Sequence, residues 1–205
     1  AKDMSSEEDN EKVGVFDHNI ALKTMAEHMS YLVPSGMRTI AVAHAFVTGG
    51  LVSDSERQLS VGGSGNVDAG IFAKFTYTAL GHLHRPQFIG SEKIRYSGSL
   101  MKYSFSEASH DKGVDVVEID GTGGVKVRTE KLDARHDVRC VKGKISDLLD
   151  HPSLYGKRDD YLMITLEDEG PVLDAMGRLK TVYPNLLHIE RPVVQRSLKL
   201  HGPEG

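Results

Sequence analysis

The sequence has 205 residues with a formal net charge of −4, of which 39% are hydrophobic and 26% charged. These ordinary values argue against a disordered or fibrous chain, and the length allows one large domain or two small ones. No apolar run approaches the roughly 20 residues that a transmembrane helix needs, so we expect a cytoplasmic protein with no membrane association. The net negative charge argues against a protein that binds nucleic acid through a surface covered in positive charge.

The first predicted element is an amphipathic helix. Residues 1–12 are polar and acidic and predict a loop or a loose end. Over residues 17–31, apolar side chains recur at near-helical spacing and Asp17 is suited to cap the helix at its start. Pro34 should stop the helix. The residues at this spacing are Ile20, Lys23 or Thr24, Met25, Ala26 and Met29, which predicts an amphipathic helix with one apolar stripe.

Two strands should follow the helix. The run "RTIAVAH" is short, apolar and β-rich, which is typical of a strand buried on both faces of an α/β sheet. The second run, "FTYTALG", lies beyond a stretch with glycines at 49, 50, 62, 63, 65 and 70, whose length suggests a functional connection. A short helix near residues 68–72 should precede the second strand.

The second half of the chain has a different pattern. The runs "KIRYSGS", "VDVVEID", "GVKVRTEKL" and "DVRCVKG" are separated by glycine-containing turns and predict an antiparallel meander. From Ile145 onward, two helices and two strands alternate and predict a small α+β unit. Cys140 is the only cysteine, which excludes an internal disulfide and a cysteine zinc cluster, and we expect it to be a small buried hydrophobe.

Both predicted strands of the first half end in histidine. His44 ends the first strand, and His82 and His84 follow the second in "ALGHLHRP". Ligand sites form at the carboxyl ends of strands in open α/β sheets. On a strand, side chains two residues apart lie roughly 6 to 7 Å apart on one face, a spacing that suits two metal ions about 4 Å apart. Spacing alone leaves open that these are surface or core histidines.

Longer stretches of sequence carry a family resemblance. "AVAHAFVTGG", "SERQLSVGGSGNVDAGIF", "YTALGHLHRPQ", "IRYSGSLMKYSFSEA" and "DEGPVLDAMGRLKTVYPNLLHIER" follow one another in the order found in the SbcD family. These are calcineurin-like metallophosphoesterases that act as exonuclease subunits with the SbcC ATPase in DNA double-strand-break processing. The sequence resembles that family over residues 38–192.

The resemblance implies a metal site and a domain order. His44 and His82 would bind one Mn²⁺ ion and His84 a second, with Mg²⁺ as the alternative metal. The implied fold class is α/β: the C-terminal part of a calcineurin-like metallophosphoesterase sandwich, followed by a small α+β capping domain. The expected boundaries are residues 1–135 for the partial nuclease domain, 136–192 for the DNA-capping domain and 193–205 for a tail.

Several family motifs are absent from the sequence. It contains no DxH, no Gly-Asp pair and no GNH, so the carboxylates, the asparagine and the catalytic histidine of the family site have no counterpart. We read "GNVD" at 65–68 as a turn into a helix. Three neutral imidazoles offset none of the charge of two divalent cations, so we expect weak metal binding and assign no catalytic residue.

Other residues are weaker candidates for DNA or phosphate binding. Arg85, Ser97 and Ser99 are candidate DNA or phosphate contacts, with a solvated arginine and a plain turn as the respective alternatives. Four further cations are candidates to line a DNA path, although a solvated face is the more ordinary explanation: Lys102, Arg128, Lys142 and Lys144.

The leading functional hypothesis is an SbcD-like subunit for metal-dependent DNA hydrolysis. The resemblance implies double-strand exonuclease and single-strand endonuclease activity, with an SbcC-like ATPase and DNA as partners, and a homodimer within a heterotetramer. This chain by itself is expected to be an incomplete, inactive fragment. The alternatives are a non-catalytic DNA-binding or scaffold module and a metallophosphoesterase for small substrates.

Overall fold

A computed structural model describes residues 17–56 and 65–191. The loop predicted at 1–12 and the tail predicted at 193–205 lie outside the described residues. None of the helices within the described part is long and apolar enough to cross a lipid bilayer. The structure is mixed α/β, with four small sheets and short helices in the described ranges.

The described residues contain short helices and strands along most of their length. The helices are α1 (His18–Leu32), α2 (Ile145–Asp150) and α3 (Ala175–Lys180), with short 3-10 segments at Ala69–Phe72, Phe105–Glu107 and Pro152–Tyr155. The strands are β1 (Ile40–His44), β2 (Phe46–Val47), β3 (Asn66–Val67), β4 (Tyr77–Gly81), β5 (Gln87–Ile89), β6 (Ser91–Tyr96), β7 (Gly113–Ile119), β8 (Val125–Lys131), β9 (Val138–Gly143), β10 (Tyr161–Leu166) and β11 (Leu186–Glu190).

The described residues form two compact units that interleave along the chain. The first contains the described parts of Ala1–Val52, Glu56–Gly98 and Asp115–Arg128. The second contains those of Ser53–Ser55, Ser99–Val114 and Thr129–Gly205. The domain boundaries expected from the sequence stay a prediction.

The first unit is built on a four-stranded sheet in the order β1-β4-β6-β5. Strands β1, β4 and β6 run parallel, and β5 pairs antiparallel with β6. Two short parallel strands, β2 and β3, pair beside it. Among the described residues, its core contains Ala45, Val47, Val67, Phe72, Leu80, Leu83, Ile89, Ile94 and Tyr96.

Helix α1 confirms the predicted helix and its cap. The Asp17 side chain accepts hydrogen bonds from the backbone N–H groups of Asn19 and Ile20 at 2.8 and 3.2 Å. The predicted apolar stripe is wrong, because Ala26 is its only buried member among residues of α1. Leu22 packs against the core instead, so the helix is turned away from the stripe that periodicity predicted.

Strand β1 confirms the predicted strand but not its burial. Ile40 and Val42 are 60% and 83% exposed, whereas Ala41 and Ala43 pack against the core. Alternate side chains of a strand point to opposite faces of the sheet, and among the described residues the face that carries Ile40 and Val42 is left uncovered. One face of the strand therefore covers the core and the other is open, so the expectation of burial on both faces was wrong.

The predicted antiparallel meander is wrong as a unit of four strands: its strands exist, but within the described residues only the neighbouring β7 and β8 pair with each other. Strand β6 pairs parallel with β4, and β9 pairs parallel with β10. Strands β7 and β8 form a separate two-stranded sheet. Alternating patterns indicate where strands lie but not which strands pair, because pairing depends on contacts far apart in the chain.

The second unit confirms the predicted alternation of helices and strands after Ile145, but its sheet is parallel, which is the α/β rather than the predicted α+β pattern. Its parallel sheet has the order β11-β10-β9. Leu162, Ile164 and Leu166 alternate along β10 and are fully buried. The cysteine expectation was wrong: Cys140 is exposed, because the buried positions of β9 are the neighbouring Val141 and the glycine at its end.

Candidate functional site

His44 and His82 lie together in the first unit, as the positions of the strand ends predicted. His44 is the last residue of β1 and pairs in register with Gly81, the last residue of β4. The centroids of the His44 and His82 rings are 5.4 Å apart, with the ring planes at 70°. A β-carbon at position 81 would come within 3.0 Å of His44 Nδ1, so glycine leaves room for this imidazole.

His82 and His84 do not continue the strand. Strand β4 ends at Gly81, and His82 has a backbone φ of 108°, a region that residues with a side chain rarely adopt. The expectation that the two histidines share one face of a strand was therefore wrong. They lie instead on an irregular turn after β4, whose backbone is strained at His82.

The surroundings of His82 favour its neutral form. Burial, followed by the nearby His44, lowers the pKa of His82, while the Glu56 carboxylate opposes the shift and His84 adds weakly to it. A neutral imidazole is the form that binds a metal ion. The electrostatics of the turn thus suit a ligand role.

Glu56 is a part of this site that the sequence analysis did not identify. Its Oε1 atom accepts a hydrogen bond from the backbone N–H of His84 at 2.5 Å. The two residues are 28 positions apart, and Glu56 lies in an irregular loop with no periodic pattern. The SER tripeptide within one of the family-like stretches was the available signal for it.

The described residues do not make a complete metal site. Within 17–56 and 65–191, no three His, Cys, Asp or Glu side chains come close enough together to hold a metal ion. A two-ion centre also needs carboxylate charge and several oxygen donors. His44, His82 and His84 therefore fit part of such a centre and not the whole of it.

Tyr96 fixes the segment that follows His44. Its hydroxyl donates to the Ala45 carbonyl oxygen at 2.7 Å and accepts from the Val47 N–H at 2.9 Å. The residue is fully buried, and burial raises the pKa of Tyr96 to about 12. Tyr96 thus ties β6 to the chain beyond β1 and helps to keep His44 at the strand end.

The weaker candidates are distributed over both units. In the first unit, Arg85 is exposed and Ser97 is half-buried just after β6. Ser99 belongs to the second unit, where its hydroxyl donates to the Met101 carbonyl oxygen at 2.7 Å and accepts from Lys112 Nζ at 2.8 Å. Their roles at DNA or phosphate stay predictions.

Two features bear on the remaining candidates. Gly98 has a φ of 82°, and a β-carbon there would lie 2.7 Å from the His84 carbonyl oxygen, so the "YSGS" turn packs tightly on the histidine turn. In the second unit, Lys102 Nζ contacts the Ala108 carbonyl oxygen at 2.8 Å and Asp137 Oδ2 at 3.0 Å. Lys102 is therefore held within the protein rather than extended toward solvent.

Comparison with known proteins identifies relatives of the chain. Residues 134–204 match the family described as "Type 5 capsule protein repressor C-terminal domain". The chain is 32% identical over 177 residues to the SbcD component of the SbcCD nuclease of Staphylococcus epidermidis, covering 86% of this chain and 47% of the relative. It is 33% identical over 184 residues to the protein of the same name from Staphylococcus saprophyticus, covering 90% and 49%.

The fold and the matches together define the class: a mixed α/β protein related to components of a nuclease. Residues 134–204 match the C-terminal domain of the SbcD family and most of the chain is similar to SbcD proteins, so the resemblance drawn from the sequence is confirmed. It spans about half the length of the curated relatives that it matches.

Proposed function

We propose that this chain supplies the histidine side of the metal centre in an SbcD-like nuclease subunit. The observation that carries the proposal is the meeting of His44 and His82 at the ends of neighbouring parallel strands, with ring centroids 5.4 Å apart, in a chain related to proteins named as nuclease components. His84, two residues after His82 in the same turn, is the third proposed ligand. In calcineurin-like enzymes, such strand ends are where metal ligands are placed.

The proposed reaction is metal-dependent hydrolysis of DNA phosphodiesters. Bound Mn²⁺, or Mg²⁺ as the alternative, would supply Lewis-acid chemistry and a clamp on the phosphate. In this proposal the sheet of the first unit is part of a metallophosphoesterase sandwich, and the second unit is a DNA-capping domain. DNA and an SbcC-like ATPase are the proposed partners, in a cytoplasmic heterotetramer that contains two copies of the SbcD-like chain and acts in repair, recombination and replication.

The chain by itself should turn over little or no DNA. Its three imidazoles supply nitrogen donors without the carboxylate charge that a two-ion centre needs. The described residues offer no complete ligand set. We therefore separate metal binding, which these histidines should show weakly, from hydrolysis, which they should not support alone.

Mn²⁺ titration calorimetry tests the metal proposal. The purified chain should bind Mn²⁺ weakly, and the triple variant with His44, His82 and His84 replaced by alanine should lose that binding. His188→Ala is the matched control, because His188 is an exposed histidine on β11 in the second unit. Equal binding by the wild-type chain and the triple variant would contradict the proposal.

A nuclease assay on the same samples tests the second part. We expect no Mn²⁺-dependent cleavage of double-stranded or single-stranded DNA above background. Robust Mn²⁺-dependent cleavage that is lost in His84→Ala would show that the histidine site is sufficient for DNA hydrolysis. The proposal that the chain alone is inactive would then be wrong.

A non-catalytic DNA-binding module is the second candidate. The observation in its favour is the enclosed core of the second unit, which is formed without the histidine site. Salt-dependent DNA binding that survives the triple alanine variant, together with the absence of Mn²⁺ binding by the wild-type chain, would favour this candidate.

A further inference from the structure

The histidine turn is braced by a loop that the metal proposal does not use. Leu51 and Gln87 exchange two hydrogen bonds: the Leu51 N–H donates to Gln87 Oε1 at 2.8 Å, and Gln87 Nε2 donates to the Leu51 carbonyl oxygen at 2.9 Å. A β-carbon at Gly50 would overlap the Leu83 side chain. The loop thus lies directly against the turn on which His82 and His84 lie.

Glu56 provides the charged contact between this loop and the turn. Its carboxylate accepts the His84 backbone N–H at 2.5 Å. A hydrogen bond to an ionised acceptor is roughly twice as strong as one between neutral groups. Unlike the two hydrogen bonds between Leu51 and Gln87, this hydrogen bond involves the backbone of His84, a proposed metal ligand.

The turn needs such support because its backbone is strained. His82 has a φ of 108°, and a residue keeps such a sparsely populated backbone conformation only where its surroundings enforce it. Without an acceptor at His84, the backbone of the turn is freer to relax. Relaxation would rotate the imidazoles that flank Leu83.

We propose that Glu56 is a positioning residue, which holds the His84 backbone and thereby sets the orientation of the His82 and His84 imidazoles for metal binding. The proposal rests on the proposed function of these histidines. Groups that hydrogen-bond near metal ligands typically change metal affinity by about 10- to 100-fold when they are removed. Glu56 would act on the ligand through its backbone rather than through its ring.

The test compares Glu56→Ala and Glu56→Gln with the matched control Glu92→Ala. Glu92 is exposed on β6 in the same unit. The first readout is amide hydrogen exchange without metal, followed at His84 and at the core residue Leu80. The second is the affinity for Zn²⁺, a diamagnetic probe that imidazole binds well, followed by NMR of the histidine rings.

In Glu56→Ala, the His84 amide should exchange at least about 10-fold faster while Leu80 stays protected, and Zn²⁺ affinity should fall about 10-fold. Glu56→Gln should retain most of both properties, because its amide oxygen still accepts the hydrogen bond. Glu92→Ala should match the wild-type chain. If Glu56 only stabilised the unit as a whole, Glu56→Ala would speed amide exchange at Leu80 and His84 together, and Glu56→Gln would not restore it.

Unchanged His84 exchange in Glu56→Ala, or equal acceleration at Leu80 and His84, would overturn the proposal. The proposed function fails separately, if the wild-type chain shows no Zn²⁺-dependent shift of its histidine rings. In that case the exchange data still decide whether Glu56 positions the turn. If the wild-type chain binds Zn²⁺ and Glu56→Ala binds it equally well, the metal site stands and the positioning role is wrong.

Discussion

Strand β10 of the second unit and strand β1 of the first differ in how much of their apolar surface is buried. In the second unit, Leu162, Ile164 and Leu166 of β10 are fully buried. In the first, Ile40 and Val42 of β1 are 60% and 83% exposed. The enclosed core belongs to elements that follow one another closely in the chain, whereas the open face belongs to a strand at the end of its sheet. A core that closes on itself is expected to respond to truncation far more strongly than an open strand face.

The largest expected effect is at the buried ion pair of the second unit. Lys112 Nζ lies 2.6 Å from Glu107 Oε2, and the two side chains are 5% and 0% exposed. Lys112→Met would leave the Glu107 carboxylate buried without its countercharge, so the free energy of unfolding should fall by about 3 to 5 kcal/mol. Denaturant unfolding with hydrogen exchange at Ile164 measures the loss.

The double variant Lys112→Met/Glu107→Gln is the control for this effect. Glutamine keeps hydrogen-bonding atoms for the Ser55 and Tyr103 contacts of Glu107 without a charge to compensate. Its stability should therefore lie above that of the single Lys112→Met variant. A single variant that loses less than about 1 kcal/mol would show that the carboxylate is not truly isolated from water.

The next effect compares truncation in the two units directly. Leu162→Ala removes fully buried methyl groups and should lower the free energy of unfolding by about 2 to 5 kcal/mol. Val42→Ala on the open face should change it by less than about 0.5 kcal/mol. Urea unfolding, with amide hydrogen exchange as the probe in each unit, measures the change in the free energy of unfolding for both variants. A comparable loss from both variants would mean that β1 is covered in solution, and the contrast between the units would not hold.

The smallest of the three effects is expected at the turn beside the histidines. A β-carbon at Gly98 would lie 2.7 Å from the His84 carbonyl oxygen and 2.8 Å from Pro86 Cδ, and the residue has a φ of 82°. Gly98→Ala should cost about 2 to 3 kcal/mol from overlap and backbone strain. Thermal unfolding measures the loss.

Gly90→Ala is its matched control. Gly90 has a φ of 67°, but a β-carbon there would meet no atom within 4 Å. It should therefore show only the backbone part of the cost, about 1 kcal/mol. Equal losses in the two variants would mean that the contact between the turns is unimportant.

Part of the fold could be predicted from local signals. The cap at Asp17 and the strands at β1, β4 and β10 follow from short patterns of residues, and the structure confirms them. The partners of β6 and β9 did not follow, because alternation along a strand does not encode which distant strand lies beside it. The expected burial of β1 was wrong for a related reason, since burial depends on which distant elements cover each face of the sheet.

The candidate site shows a similar division. The rule that parallel strands present ligands at their carboxyl ends was sufficient to bring His44 and His82 together. It was insufficient for the turn, where the φ of 108° at His82 removed the strand geometry on which the spacing argument depended. Glu56 was missed because its contact with His84 joins two irregular segments.

The sequence alone determined the resemblance to SbcD proteins, most of the longer helices and strands, and the histidines that carry the metal proposal, because short patterns and residue types are properties of the chain itself. Only the tertiary structure decided which strands pair, that the β1 face is open, and that Glu56 holds the His84 backbone. Those features depend on contacts between residues far apart in the chain, and their geometry arises only when the packed units form.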